Sequence, residues 1–390
     1  MPSSRSHLKA IIALAMGAFG IALTEFVIMG ILPKVAGSLS VTIPQAGHFI
    51  SAYALGVVVG APLLTRLASR WPSRKVLLGL MLWFTLFNGL SALAEGYYSM
   101  LAIRFLAGLP HGAYFGIGAV RAARLAPPGR EARAIARMFS GFTLANVLGV
   151  PLGTYIGNTW HWGASFLMIA VVGILTVLCL FLWMPPESGK DSGESSKGSG
   201  MGGWELWSLL ALTAIGTGGF FAWYSYIAPL LMEVSGHTET TVSLAMVLSG
   251  VGMVIGNLIG ARLVEWLRPV RATAVGMSSM ALMLVLNAAL APYPGWVLVM
   301  CFVIGMVTFT MAAPIQMSII DASKGSEMLA SSFNQSAFNI ANASGAFFAG
   351  LPLTMGYGYT SPSLVGAVLA AVGAIIALGI WQRKRHLKTP

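Results

Sequence analysis

The chain has 390 residues, of which 56% are hydrophobic and only 9% are charged, and its formal net charge is +11. A soluble domain carries roughly 25% charged residues, so this composition excludes an ordinary soluble globular protein. On a soluble protein such a basic balance would suggest nucleic-acid binding, but the placement of the charges along this chain decides otherwise.

Twelve apolar runs follow one another along the chain, and each is long enough for a membrane-spanning helix, which needs ~20 apolar residues. Their length is helical, and they lack the strict alternation of barrel strands. The first run is too long for the apolar core of a signal peptide, so we expect it to be retained. The runs cover residues 9–33, 44–66, 75–95, 97–121, 135–157, 163–184, 205–232, 240–263, 271–291, 294–319, 328–352 and 361–382.

The cations between the runs are strongly one-sided. Of the 23 Lys and Arg residues, 21 lie at the chain ends or in every second loop, and Lys34 alone lies in the other set of loops. Cytoplasmic loops of membrane proteins are enriched in Lys and Arg, so we expect both termini in the cytoplasm of a bacterial inner membrane. Anionic lipid headgroups explain the basic surface better than nucleic acid does.

Two related halves are visible in the sequence. Residues 186–203 are rich in Gly, Ser and charges, and we interpret them as a cytoplasmic linker between bundles 1–185 and 204–390. A constant shift of 196 residues aligns parts of helices 1, 2 and 5 with helices 7, 8 and 11, but it aligns neither helix 4 with 10 nor helix 6 with 12. We therefore predict an all-α membrane protein with twelve transmembrane helices in two pseudo-symmetric six-helix bundles and a substrate site between the halves.

Four segments resemble signatures of the major facilitator superfamily, and the chain looks most like its twelve-helix drug:proton antiporter group, near the arabinose-efflux-permease-like members. The resemblance covers nearly the whole chain and implies efflux by the major facilitator fold. The segments are GAFGIALTEFVIMGILPKVA in helix 1, GAPLLTRLASRWPSRK in loop 2–3, LAIRFLAGLPHG in helix 4 and GFTLANVLGVPLG in helix 5.

The resemblance also assigns gating or structural roles. In loop 2–3 it points to Gly60, Arg70, Arg74 and Lys75, and in helix 5 it points to Gly149 and Pro151. Two positions depart from the family pattern. Ser69 stands where an Asp usually precedes the first Arg, and Val150 separates the Gly and Pro that are usually adjacent, so the charge relay often assigned to loop 2–3 is in doubt.

Two charged residues lie clearly away from the helix ends, Glu25 in helix 1 and Arg104 in helix 4. Ionisable groups at membrane depth face the bundle interior and are expected to be functional. We predict proton coupling by Glu25, with Arg104 pairing with it and His111 as a second titratable group on the same helix face. The alternatives are a Glu25 satisfied by hydroxyls, an Arg104 bonded to helix-1 carbonyls and a neutral, packed His111. The shift of 196 residues places Phe221 opposite Glu25, so the scaffold does not require an acid there.

Aromatic and amide side chains in the predicted spans are candidates for binding an amphipathic organic substrate. Asn146 and its repeat mate Asn342 also fit a structural role, and each aromatic residue also fits simple packing. The candidates are Tyr114, Asn146, Trp223, Tyr224, Tyr226, Gln335 and Asn339.

No phosphate-binding loop, metal-ligand spacing or disulfide framework occurs, and Cys179 and Cys301 both lie within predicted helices. We expect a monomeric proton-coupled exporter of drugs, sugars or nucleosides that is not an enzyme, has no cofactor or metal, and binds no nucleic acid. A narrow sugar or nucleoside efflux permease and a proton-driven importer use the same scaffold and stay open. A sensor or membrane enzyme is disfavoured, because no output domain or catalytic cluster is present.

Overall fold

A computed structural model describes residues 4–68, 71–127, 131–186, 203–323 and 327–386, and these residues are nearly all helical, with no strand among them. They belong to two compact units. One consists of Met1–Ser40 and Ala52–Ser195, and the other of Val41–Ser51 and Ser196–Pro390. Nearly all of the predicted linker 186–203 lies outside the described residues, so those domain limits stay a prediction.

The first half of the chain forms eight α-helices, with a π-helical segment at Ala145–Gly149. The first nine residues of the third helix, Ile43–Ser51, are assigned to the second unit. The helices are α1 (Ser4–Gly30), α2 (Leu32–Ser38), α3 (Ile43–Ala68), α4 (Ser73–Ser91), α5 (Tyr97–Leu125), α6 (Glu131–Leu144), α7 (Val150–Thr159) and α8 (Trp162–Trp183).

The second half forms nine α-helices, with a second π-helical segment at Leu230–Val234. They are α9 (Trp204–Gly216), α10 (Gly218–Tyr224), α11 (Ile227–Pro229), α12 (Glu239–Trp266), α13 (Pro269–Leu290), α14 (Pro294–Thr310), α15 (Ala312–Ala322), α16 (Glu327–Thr354) and α17 (Ser361–His386).

Each of the twelve predicted apolar runs is helical in the structure. Among the described residues, nine helices are both long and apolar enough to cross a membrane. The other three runs correspond to α4, α5 and α16, which have 19, 29 and 28 residues and carry more polar side chains. Helix α5 includes the fully buried Arg104, so its lower hydropathy partly reflects the candidate functional residues themselves.

Glycines bring two helix pairs into backbone contact, one pair in each half. A Cβ atom on Gly56 of α3 would lie closer than 3.0 Å to the Phe105 carbonyl oxygen of α5. In the second half, a Cβ atom on Gly252 of α12 would meet the Phe302 carbonyl of α14 in the same way. Small residues are the usual means by which membrane helices approach this closely.

The same contacts correct the sequence comparison of helices 4 and 10, for which the shift of 196 gave no match. Gly108 of α5 packs on the Tyr53 carbonyl, and Gly305 of α14 packs on the Ser249 carbonyl. The α3 and α12 partners are 196 residues apart, whereas the α5 and α14 partners are 197 residues apart. A one-residue insertion between these helices therefore hid a genuine structural repeat from the constant-shift comparison.

Both π-helical segments adjoin a proline. The Val150 amide donates to the Ala145 carbonyl, five residues back, and the next residue, Pro151, has no N–H to continue the ladder. In the second half, Pro229 directly precedes the segment in which the Ser235 amide bonds the Leu230 carbonyl at 3.3 Å. Local π adjustments of this kind re-satisfy backbone groups freed by proline in membrane helices.

Candidate functional site

Glu25 lies within α1 and is buried, with only 2% of its surface exposed. It interacts electrostatically with Arg104 of α5 and with Tyr53 of α3. The three residues come from three helices of the first unit, and all of them are at least 98% buried. The structure thus brings together the acid and the cation that the sequence singled out.

Arg104 is held against α1 by two hydrogen bonds to one residue. Its Nη1 donates to the Thr24 hydroxyl at 2.9 Å, and its Nη2 donates to the Thr24 carbonyl at 3.1 Å. The guanidinium carbon lies 4.3 Å from the centroid of the Tyr53 ring and 5.5 Å from that of Phe166. The alternative in which Arg104 bonds a helix-1 carbonyl is therefore observed together with its electrostatic contact with Glu25.

One donor of Arg104 is left over. Its Nε has no hydrogen-bond partner among the described residues, although the side chain is fully buried. A buried donor without a partner is costly, so such a group is a natural contact for a water molecule or an exchangeable acceptor.

His111 reaches the same cluster through Tyr53. The Tyr53 hydroxyl and His111 Nδ1 share a hydrogen bond of 3.1 Å, and the two ring centroids are 5.9 Å apart. The His111 ring also packs against Phe115 at 5.3 Å. A continuous chain of contacts therefore runs from Glu25 and Arg104 through Tyr53 to His111.

Three residues of this cluster were missed by the sequence analysis: Thr24, Tyr53 and Asn88. The Thr24 hydroxyl accepts from Arg104 and donates to Asn88 Oδ1, while Asn88 Nδ2 donates to the Phe84 carbonyl at 2.8 Å. Thr24 and Asn88 are both fully buried. A usable signal was present, because an Asn within an apolar run needs a polar partner, but the sequence alone does not identify that partner.

The second half has no counterpart to this cluster. The repeat places Phe221, Ser249 and Cys301 at the positions of Glu25, Tyr53 and Arg104, and all three are buried. Ser249 donates to the Cys301 carbonyl at 3.1 Å. The same scaffold thus contains an ionisable cluster in one half and uncharged side chains at the equivalent places in the other.

The substrate candidates in the first unit are both buried. The Tyr114 hydroxyl donates to the Leu14 carbonyl at 3.2 Å, and its ring packs over Gly17. Asn146 lies in the π-helical segment, where its Nδ2 donates to the Phe142 carbonyl at 3.0 Å and its Oδ1 has no partner among the described residues. Asn146 therefore has an acceptor available for a ligand, whereas the Tyr114 hydroxyl is already engaged.

The three aromatic candidates of the second unit are all buried, but they differ in their polar contacts. The Tyr226 hydroxyl donates to the Ala346 carbonyl at 2.9 Å, and Tyr224 stacks on Phe220 at 4.8 Å. The indole Nε1 of Trp223 has no hydrogen-bond partner among the described residues. Trp223 is thus the aromatic candidate with a free donor.

Helix α16 contains the amide candidates. Asn339 is buried and its Nδ2 donates to the Gln335 carbonyl at 3.0 Å, while its Oδ1 has no partner in the described part of the chain. The Gln335 side chain is half-buried. Phe338 packs on Phe221 with ring centroids 5.0 Å apart, so α16 contacts α10 beside Asn339.

The residues assigned by the family motifs lie mainly at helix contacts. Gly60 packs on the Leu109 carbonyl, and Gly149 packs on the Phe19 ring. The Arg74 guanidinium bonds the Phe181 carbonyl, which ties the start of α4 to the end of α8. Lys75 is exposed, Pro151 lies in the first turn of α7, and Arg70 is outside the described residues.

Comparisons with known proteins agree on one family and one fold. The family model described as Major Facilitator Superfamily matches residues 14–346. AraJ of Escherichia coli K12 is 36% identical over 98% of both chains, and the inner membrane transport protein YdhP of the same strain is 39% identical over 94% of both. A chloramphenicol resistance protein of Streptomyces lividans is 29% identical over 95% of this chain and 94% of its own.

A solved structure supports the same fold. A bacterial homologue of the human lysosomal transporter Spinster, in an inward-facing and occupied conformation, superposes with a TM-score of 0.79. The match covers 97% of this chain and 98% of that one at 15% sequence identity, so it shows the fold alone. The predicted all-helical, multi-span fold class is confirmed.

Proposed function

Because the chain belongs to the major facilitator superfamily and is therefore a multi-pass membrane transporter rather than an enzyme, we propose that it is a proton-coupled antiporter. Its cargo is a small organic compound, exported across the bacterial inner membrane by alternating access. The protein works as a single chain, with the proton gradient as its energy source.

The observation that supports proton coupling best is the buried ionisable cluster in only one half. A carboxyl group at membrane depth is costly, and helix packing does not require it here, because Phe221 fills the equivalent place in the other half. Arg104 offsets that cost through its electrostatic contact with Glu25. A site of this kind can hold a proton on Glu25 in one state and an ionised carboxylate beside Arg104 in the next.

The arrangement allows Glu25 to change protonation without losing Arg104 from its place. The guanidinium is fixed by Thr24 and Tyr53, neither of which depends on the charge of Glu25. The unpartnered Nε of Arg104 is a further donor for water or for the carboxylate. Glu25 is therefore the coupling residue, and Arg104 is the group that positions and stabilises its charged form.

Buried polar groups without partners support binding of a neutral or lipophilic compound. Among the described residues, Trp223 has an open donor, and Asn146 and Asn339 each have an open acceptor. Pockets for small molecules combine apolar walls with a few such groups. One relative is named for chloramphenicol resistance, so this amphipathic compound is the first cargo to test.

The experiment begins with purified protein and a thermal-shift screen of chloramphenicol, sugars and nucleosides. Compounds that raise the melting temperature are then followed in proteoliposomes with an imposed pH gradient. The proposal predicts that cargo moves against its gradient as protons move down theirs. Transport that ignores the pH gradient would refute proton coupling, and cotransport in the direction of the protons would identify an importer.

The decisive variant is Glu25→Gln, which keeps the shape of the side chain but cannot release a proton. We expect gradient-driven transport to fall to background while the thermal shift with cargo is retained. Glu95→Gln is the matched control, because Glu95 is exposed in the loop after α4 and should keep full activity. Normal pH-driven transport by Glu25→Gln would remove this residue from the mechanism.

A further inference from the structure

Helices α1, α6 and α8 leave a cavity of about 460 Å³ on the first unit. Its wall is almost entirely apolar and includes Leu8, Ile12 and Phe19 of α1, Leu144 of α6 and Leu175 of α8. Leu8, Ile12, Leu144 and Leu175 are each between 42% and 51% exposed, so the cavity is an open groove rather than a sealed void. None of these residues belongs to the Glu25 cluster.

The groove has the length of one membrane leaflet. Leu8 and Phe19 are eleven residues apart on a helix that rises 1.5 Å per residue, which gives about 16 Å. The hydrocarbon core of a bilayer is about 30 Å thick, so one leaflet contributes about half of that. An extended acyl chain therefore matches this groove in both length and chemistry.

A single cation marks one end of the groove. Close contacts pair Gly141 with Ala15 and Gly157 with Ile31, so α1 runs parallel to the α6–α7 segment. Arg137 lies one turn before Gly141 and hence towards the Leu8 end of α1. This is the end at which the sequence predicts the cytoplasmic surface.

Arg137 is the charged group of the groove wall. The Ser140 hydroxyl, the other polar side chain there, donates to the Arg137 carbonyl at 2.7 Å and is thus engaged on its own helix. The Arg137 side chain is exposed, and the exposed Lys9 follows Leu8 at the same end. Arginine binds phosphate oxygens in a bidentate manner, and basic pockets on the cytoplasmic side of membrane helices bind anionic headgroups.

We propose that this groove is a binding site for a membrane phospholipid with an anionic headgroup, such as phosphatidylglycerol. One acyl chain lies along α1 between α6 and α8, and the headgroup phosphate binds Arg137 with Lys9 nearby. The bound lipid would reinforce the contact of α1, the helix that contains Glu25, with its neighbours.

The test compares phosphatidylglycerol and phosphatidylcholine with identical acyl chains, titrated into delipidated protein. The readouts are the melting temperature and the number of lipids retained in native mass spectrometry. We expect phosphatidylglycerol to bind more tightly and to stabilise more. Arg137→Gln should lose about fivefold in affinity for it, because a cation near an anionic surface contributes about that much.

Two further variants make the outcome decisive. Leu175→Trp fills the groove at an exposed position and should displace the acyl chain without changing any charge, while Arg262→Gln removes an exposed cation elsewhere and should bind as the wild type does. Unchanged binding in Arg137→Gln would overturn the proposal, as would an equal loss in Arg262→Gln. Equal binding of phosphatidylcholine, or full replacement by a free fatty acid, would also contradict it.

Discussion

At the residue scale, Arg104 is fixed from three directions although it is buried in an apolar bundle. Thr24 accepts two of its hydrogen bonds, Tyr53 covers one face of the guanidinium, and Glu25 acts on it electrostatically. Tyr53 also bonds His111 through its hydroxyl, so it contributes its ring and its hydroxyl to different neighbours. These two roles can be separated by substitution.

Tyr53→Phe keeps the ring over Arg104 and removes only the hydrogen bond to His111, whereas Tyr53→Leu removes both. A desolvated cation–π contact is worth about 2 kcal/mol, against about 1 kcal/mol for a typical hydrogen bond. We therefore expect Tyr53→Leu to lower the melting temperature of the purified protein clearly more than Tyr53→Phe. Tyr155→Leu, at a position 47% exposed, controls for loss of an aromatic ring. Equal losses in both Tyr53 variants would mean that the ring does not stabilise Arg104.

The sequence could predict only part of this cluster. Glu25 and Arg104 stand out because a charge within an apolar run is costly wherever it points. Tyr53, Thr24 and Asn88 do not stand out, because hydroxyl and amide side chains are common in membrane helices and each has several available partners. Which of them meets Arg104 depends on how α1, α3, α4 and α5 are rotated against one another, and that is fixed by packing.

At the element scale, glycine positions set how closely the helices approach. Gly108 of α5 lies against the Tyr53 carbonyl of α3, so it also controls the distance between the helices that present Arg104 and Tyr53. Gly116 lies two turns further along the same helix and has open space where a Cβ would be. The pair allows packing and helix propensity to be compared on one helix.

We expect Gly108→Ala to destabilise the protein by about 1–3 kcal/mol, because the added methyl group overpacks a backbone contact. Gly116→Ala should cause no loss, since alanine favours helix and meets nothing there. Melting temperatures of the two variants, each measured with and without cargo, check this. A Gly108→Ala protein as stable as Gly116→Ala would show that α3 and α5 can separate freely.

Helix content was predictable from the sequence, but helix irregularity was not. All twelve apolar runs are helical, because membrane-length apolar segments can satisfy their backbone only as helices here. The π-helical segment at Ala145–Gly149 and the break after Gly216 were missed. A proline or glycine permits such a defect, but neighbouring helices decide whether the chain bends, tightens or widens at that point.

At the scale of the whole molecule, two halves with the same helix contacts have diverged in chemistry. The glycine contacts of α3 with α5 recur between α12 and α14, while the Glu25 cluster is replaced by Phe221, Ser249 and Cys301. The repeat thus preserves what packs the helices and varies what lies inside them. This division is what a transporter with one proton site and a separate cargo site requires.

The predicted orientation of the chain can be tested across a single helix, α4, which is among the three spans with weaker hydropathy. Trp71 precedes α4 and is 67% exposed, and Glu95 follows α4 in an exposed loop. The one-sided distribution of Lys and Arg places the first in the cytoplasm and the second outside. In a background with Cys179→Ala and Cys301→Ala, a membrane-impermeant maleimide should label Glu95→Cys in intact cells. It should label Trp71→Cys only after the membrane is permeabilised. The reverse result would invert the topology, and labelling of both positions from outside would show that α4 does not cross the membrane.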